Sequence, residues 1–254
     1  MKLLNLTGKV AIVTGGNGGI GLGMAEGLAD CGATIVVAAR DAENSQSALD
    51  RLRAAGARAS FLSVDITQKA DCENMVVQAE TAFGRLDILV NNAGIMARNQ
   101  PQNFTEEAWR RVLDTNPTGA FLCCQAAYPA MKRAGGGKII NLGSMASIFG
   151  SPILAAYASS NGGIVQLTRA LVTAWAKDNI QVNTVLPGFI DTDITREGCA
   201  QIPGLQERIE QRTPAGRWGE PEDLAGIAAF LSAPASNFIT GTVTAVDGGY
   251  SVMM

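Results

Sequence analysis

Seven short apolar runs alternate with helix-length stretches along the chain. KVAIVTG (9–15) is continuously apolar and closed by glycine, as in a strand buried on both faces. A helical stretch follows from about 19 to 31, then a second run, ATIVVAAR (33–40), and a helix rich in Ala and Leu to about 55. RASFLSV (58–64) reads as a third strand, 68–83 as a helix and LDILVNNAG (86–94) as a fourth strand. One longer helix is predicted over 105–134, ending in MKRAGGGK, where basic residues give way to glycines. KIINLGS (138–144) is a strand, 155–177 a helix and IQVNTVLPG (180–188) a strand. Residues 189–216 are polar and irregular, a loop with short helices. A helix over 220–232 has Pro221 in its first turn, and GTVTAVDGG (241–249) is the last strand. Strand–helix alternation of this kind predicts an α/β fold, a doubly wound parallel sheet covered by helices on both faces, three layers in one domain over 1–254.

The turn between the first strand and first helix, VTGGNGGIGLG (13–23), carries the first chemical signal. Gly16, Gly18 and Gly21 fit G-x-G-x-x-G, and Gly15, Gly19 and Gly21 fit G-x-x-x-G-x-G. Glycines let the backbone approach a pyrophosphate, and a helix N-terminus adds free N–H groups and a positive dipole end. The strand before and helix after supply the context that the motif needs for dinucleotide binding. The end of the second strand selects the nucleotide. Arg40 there suits the 2′-phosphate of NADP(H), whereas Asp41 would hold the ribose of NAD(H) if the strand ended one residue later.

The remaining composition narrows the chemistry. The 254 residues contain no histidine, which removes Ser-His-Asp triads, Cys-His dyads and HExxH zinc sites. Acid–base work near neutral pH then falls to Tyr, Lys, Cys or a carboxylate. The net charge of −3 includes no basic block suited to nucleic acid or an anionic membrane. No apolar run is long enough to span a bilayer and no signal peptide is evident, so a cytoplasmic location is expected. The five cysteines lack metal-ligand or redox spacing, and no metal site is expected.

These pieces together resemble the classical short-chain dehydrogenase/reductase family over essentially the whole chain. The motifs are TGGNGGIG (14–21), NNAG (91–94), Asn116 in LDTNPTG, Ser144 in NLGS, Tyr157 in YASSN, LPGFIDT (186–192) and the closing segment GRWGEPEDLAGIAAFLSAPASNFITGTVTAVDGG. Within the family the chain looks most like gluconate and deoxygluconate dehydrogenases. The resemblance implies a Rossmann-type fold and a reaction between a carbonyl and a secondary alcohol on a small ketone or sugar acid. It implies a nicotinamide cofactor held by Gly15, Asn17, Gly19, Ile20, Gly21, Arg40, Asp65, Ile66, Asn92, Ala93, Gly94, Tyr157, Asn161, Pro187, Gly188, Ile190 and Thr192. It implies Asn116, Ser144 and Tyr157 as catalytic residues, a substrate-binding region near 189–216 and a homotetramer built on the helices at 105–134 and 155–177.

One position departs from the family. Its fourth catalytic residue is a lysine four after the tyrosine, which would hold the nicotinamide ribose and lower the tyrosine's pKa by its charge. Here that position is Asn161. An amide offers hydrogen bonds to a ribose hydroxyl or a water, but no charge. Two readings follow: an oxidoreductase with one impaired element, or a catalytically inactive protein that keeps the fold to bind nucleotides or partners. Because Asn116, Ser144 and Tyr157 all remain, the impaired enzyme is the expectation. Arg196 and Arg208 in the polar segment are candidate contacts for a substrate carboxylate, although solvated loop charges are the more ordinary reading.

Overall fold

Val10–Thr14 forms strand β1, buried along its whole length. Alternate side chains serve opposite faces of the sheet: Ala11 and Val13 join one apolar cluster, Val10 and Ile12 the other. A computed structural model describes residues 2–253. The chain continues through α1 (Gly19–Asp30), β2 (Thr34–Ala39), α2 (Ala42–Ala54), β3 (Ala59–Ser63), α3 (Lys69–Phe83) and β4 (Ile88–Asn91). Then come α4 (Glu106–Leu113), α5 (Gly119–Arg133), β5 (Gly137–Leu142), α6 (Ala155–Trp175), β6 (Ile180–Pro187), α7 (Asp193–Gln201), α8 (Leu205–Arg212), α9 (Ala225–Ser232) and β7 (Val243–Val246). The strands make one seven-stranded sheet, order β3-β2-β1-β4-β5-β6-β7, with every pairing parallel. Helices α1, α2 and α9 cover one face, and α3, α5 and α6 the other. This is the expected doubly wound, three-layer fold.

Two predicted elements differ beside the site. The helix expected over 105–134 is interrupted by a π-helical turn at Asp114–Thr118. Pro117 has no N–H to give to the preceding turn, so the helical ladder loses a bond and widens there. The strand expected over 86–94 ends at Asn91, leaving Asn92, Ala93 and Gly94 beyond the sheet edge. Both departures bear on the site, because both lie at its rim. The helix predicted at 220–232 also begins with a 3-10 turn, Pro221–Leu224, before α9. The short helices expected within 189–216 are α7 and α8.

Candidate active site

The sheet order creates the site. From β1 the chain runs outward through β2 and β3, then returns to the other side of β1 as β4. At such a switch point the connections leave in opposite directions and open a crevice at the carboxyl ends of the strands. Two cavities lie along it, of about 480 Å³ and about 270 Å³, with Gly15, Asn17, Ala93, Gly94 and Ile95 lining both. The pair therefore forms one elongated groove.

The glycine loop is shaped to admit a diphosphate. Gly15 has φ of 63°, a left-handed conformation that favours glycine. A Cβ on Gly21 would fall 2.3 Å from Gly15 O and 2.4 Å from Asn92 Nδ2, so the helix packs on the loop as only glycine allows. No side chain caps the N-terminus of α1, which leaves its first N–H groups for a ligand. The Asn92 amide donates to Thr14 O at 3.0 Å and Gly15 O at 3.1 Å, and Thr14 Oγ1 accepts the N–H groups of Asn92 and Ala93. Asn92 thus spends its donors bracing the loop rather than pointing them at a ligand.

At the smaller cavity, Ala38, Ala39, Arg40, Asp65 and Ile66 line the wall. Strand β2 ends at Ala39, so Arg40 is the first residue beyond it. Asp41 caps α2: its carboxylate accepts Asn44 N–H at 3.1 Å and Asn44 Nδ2 at 2.7 Å. Asp41 lines the same cavity, but each of its oxygens already accepts a bond from Asn44, whereas the Arg40 guanidinium is free to turn to a ligand. Among the described residues no carboxylate pairs with exposed Arg40. Asp65 accepts from Thr67 N at 3.0 Å and Thr67 Oγ1 at 2.8 Å through one oxygen.

The larger cavity collects Asn17, Gly19, Ile20, Asn92, Asn116, Tyr157, Asn161, Pro187 and Thr192. Gly188 and Ile190 do not line it. They face a separate pocket of about 190 Å³ behind the loop, and Ile190 is buried in the core. Asn116 is positioned by the π-helical turn, and its amide is engaged at both ends: Oδ1 accepts Ile95 N–H at 2.9 Å, while Nδ2 donates to Ile95 O at 3.0 Å and Ser160 Oγ at 3.1 Å. It braces the segment after β4 against α6.

Tyr157 and Asn161 share a face of α6, as their four-residue spacing requires. Asn161 does not extend toward the cleft with its donors. Its Nδ2 turns back to Tyr157 O at 2.8 Å and approaches Ser160 Oγ at 3.4 Å. Its oxygen is left to accept, so the expected bond to a ribose hydroxyl or a water is narrowed to an accepting one. Burial pushes the Tyr157 phenol above its ordinary pKa, while the Ser144 and Asn161 side chains and the charge of Arg98 pull it down; burial prevails. The phenol is therefore neutral at pH 7. Ser144 follows β5 and Gly143, and its Oγ accepts Ala146 N–H at 3.1 Å, leaving its own proton available.

The arginines proposed from sequence lie elsewhere. Arg196 is paired with Asp191 at 2.8 Å and Asp193 at 3.4 Å, and Arg208 is exposed on α8. Arg98 was missed. It is half-buried, donates to Ile194 O at 3.4 Å and has no carboxylate partner among the described residues. Its neighbour Asn99 pairs with Leu154, the residue that opens α6, which brings Arg98 to the Tyr157 end of the cleft. In the sequence it is one more polar residue in a loop, with no motif to mark it. Ser147, whose Oγ accepts Ser144 N–H, and Ser160, whose Oγ accepts from Asn116, were equally unmarked.

Comparison with known proteins agrees with this architecture. The family model described as enoyl-(acyl carrier protein) reductase matches residues 15–251. Gluconate 5-dehydrogenase of Gluconobacter oxydans is 38% identical over 252 residues, covering 99% of this chain and 98% of that protein. A 5-keto-D-gluconate 5-reductase of Escherichia coli is 38% identical over 250 residues, covering 98% of each. The crystal structure of gluconate 5-dehydrogenase from Burkholderia cenocepacia, in complex with NADP and tartrate, matches with a TM-score of 0.94 at 36% identity, over 100% of this chain and 99% of that one. With this coverage, and with its glycine loop, NNAG segment and tyrosine ranged along one groove at the switch point, the chain belongs to the short-chain dehydrogenase/reductase family.

Proposed function

We propose that the protein is an NADP(H)-dependent oxidoreductase that interconverts a carbonyl and a secondary alcohol on a small ketone or sugar acid, at a rate limited by Asn161. The observation that carries this reading is the neutral phenol of Tyr157 beside Ser144, at one end of a dinucleotide-sized groove. The cradle fits the cofactor: a glycine turn with no side chain in the way, an uncapped helix N-terminus, and Arg40 at the adenosine end. NADPH, when bound, supplies the hydride. Reduction builds negative charge on the substrate oxygen, which the Ser144 hydroxyl stabilises by donating a hydrogen bond. The Tyr157 phenol gives that oxygen a proton. Asn116 acts at one remove by holding the segment after β4 against α6. Segment 189–216 would close over the substrate, and Arg98, a cation without a carboxylate partner among the described residues, supports a substrate that carries one. Relatives named for gluconate and ketogluconate point to the same class. Assay of a panel of ketones, sugar acids and alcohols with NADPH and NADH tests the reading; no turnover of any of them would overturn it.

Cofactor choice gives a separate expectation. NADPH should bind at least about tenfold more tightly than NADH, a difference of about 1.4 kcal/mol. Arg40→Ser should remove most of that difference by losing the grip on the 2′-phosphate. Fluorescence titration measures both, and equal affinities in the parent protein would exclude Arg40 as the selector.

Assembly as a homotetramer through α4, α5 and α6 is part of the proposal. Phe121 on α5 is exposed, which suits a covered face. Light scattering should give four times the chain mass, and a monomer at micromolar concentration would refute it. A second reading rests on one observation, the Asn161 amide folded back onto its own helix. In that reading the protein binds the dinucleotide and transforms nothing. The substrate panel separates the two, because a binder shows cofactor affinity without turnover.

A further inference from the structure

We propose that Ser147 is a positioning residue that holds Ser144 against the helix carrying Tyr157. The proposal rests on the reading of Ser144 and Tyr157 as the acting pair. Ser147 ends the short 3-10 turn Met145–Ser147 that follows Ser144. Its Oγ accepts the Ser144 N–H at 3.3 Å and donates to Asn161 O at 3.1 Å. Its own N–H donates to Ser144 O at 2.8 Å. A hydroxyl has a single proton. Here that proton is committed to α6, one turn beyond Tyr157, while the oxygen is committed to Ser144. One side chain therefore joins the end of β5 to the face of α6 that bears the phenol. Room for this contact comes from Gly143, where a Cβ would fall 2.9 Å from Ser147 Oγ and 2.5 Å from Leu186 Cδ2.

The contact has a consequence for chemistry. Ser144 is extended, with φ of −157°, and accepts from Ala146. The Ser147 bridge keeps it in that posture, with its proton free and its oxygen near the phenol. Without the bridge, the loop keeps the apolar packing of Met145 with Val165 of α6 but loses the hydrogen bond that fixes Ser144 beside Tyr157, and Ser144 drifts by the fraction of an ångström that matters for proton transfer.

The experiment reads Tyr157 directly and does not depend on turnover. The chain has three tyrosines, so ¹³C-labelled tyrosine gives three resonances, and Tyr157→Phe assigns the one of interest. Around the phenol lie Ser144, Asn161 and Arg98: burial pushes its titration upward, and the two polar side chains and the Arg98 charge pull it back down. Ser147→Ala should move the Tyr157 midpoint upward, as Ser144→Ala does, and should add nothing on top of Ser144→Ala, because both changes remove the same contact. Ser147→Thr, which keeps the hydroxyl, should titrate like the parent. Carbonyl reduction by Ser147→Ala should fall about tenfold in kcat, with NADPH affinity within about twofold of the parent value. An unmoved midpoint, or one that shifts additively with Ser144→Ala, overturns the proposal, and so does a loss of thermal stability with the titration unchanged. If Ser147→Ala does not fold, Ser147→Cys, whose thiol is a weak donor, is titrated in its place. If the parent protein reduces no substrate, the functional reading fails while the titration still decides the role of Ser147.

Discussion

Asn161→Lys is expected to raise NADP-dependent alcohol oxidation near pH 7 by about a hundredfold. Oxidation needs a base at Tyr157 to take the alcohol proton, and burial now holds that phenol in its neutral form. A unit positive charge about 5 Å away, at an effective dielectric of about 20, favours tyrosinate by about 3 kcal/mol, a factor of more than a hundred in its population. Asn161 is buried at the cleft wall, so a longer side chain has the cleft to extend into. Lysine is at least as good a helix former as asparagine. The Tyr157 carbonyl that loses the Asn161 side-chain bond keeps its bond within the helix. The oxidation pH profile should move toward lower pH, because tyrosinate then forms at lower pH. Adding Tyr157→Phe should abolish the gain, since the ammonium has no phenol to act on. If the asparagine protein already oxidises as fast as the lysine variant, charge at this position is irrelevant. If Asn161→Lys binds NADPH and remains inert on every substrate, the binding-protein reading stands instead.

Lys138→Met is expected to stabilise the fold by about 2–3 kcal/mol at pH 7. Lys138 lies at the start of β5, only 8% exposed, and donates to Ser236 Oγ at 3.2 Å with no carboxylate partner among the described residues. Burial pulls its pKa from 10.5 down to about 8. That depression corresponds to about 3 kcal/mol of desolvation carried by the folded state when the amine is charged. Below about pH 8 both folded and unfolded chains hold the proton, and the cost is present in full. Between about 8 and 10.5 the unfolded chain binds the proton more tightly, so stability rises with pH and the cost fades. Methionine has a similar shape and no charge to desolvate. The advantage of Lys138→Met in urea unfolding should therefore be largest at pH 7 and shrink as pH approaches 10. An equal advantage at both pH values would assign it to packing, and a destabilised variant would show that the bond to Ser236 outweighs the buried charge.

Apolar runs at 9–15, 33–40, 86–94, 138–144 and 180–188 were legible as strands because burial on both faces keeps them mostly apolar, and the polar residues within them, such as Asn91, Asn141 and Asn183, are themselves buried. The alternation with helices made the sheet parallel by necessity, since parallel neighbours need a crossover. The glycine loop was equally legible: a turn that must approach a diphosphate excludes side chains, and that exclusion is written in residue types. Ser144 and Tyr157 could be singled out because their positions in recognisable motifs survive without any geometry. The absence of charge at 161 was likewise a fact of sequence alone.

Tertiary structure decided what those residues do with their hydrogen bonds. Asn92, Asn116 and Asn161 look alike in sequence as amides beside a cofactor. Folding spends the donors of the first on Thr14 and Gly15, both ends of the second on Ile95 and Ser160, and the donors of the third on Tyr157 and Ser160. Where β2 stops and α2 is capped places Arg40 just beyond the strand and Asp41 at the helix cap, a matter of one residue that periodicity does not resolve. Arg98 and Ser147 gained their places from contacts between different elements, with Ile194 across 96 residues and with Asn161 across 14 respectively. Local pattern determines which elements form, because it reflects the burial of each segment. The partners of a polar side chain depend on which other segments arrive beside it, and only the assembled sheet and helices bring them there.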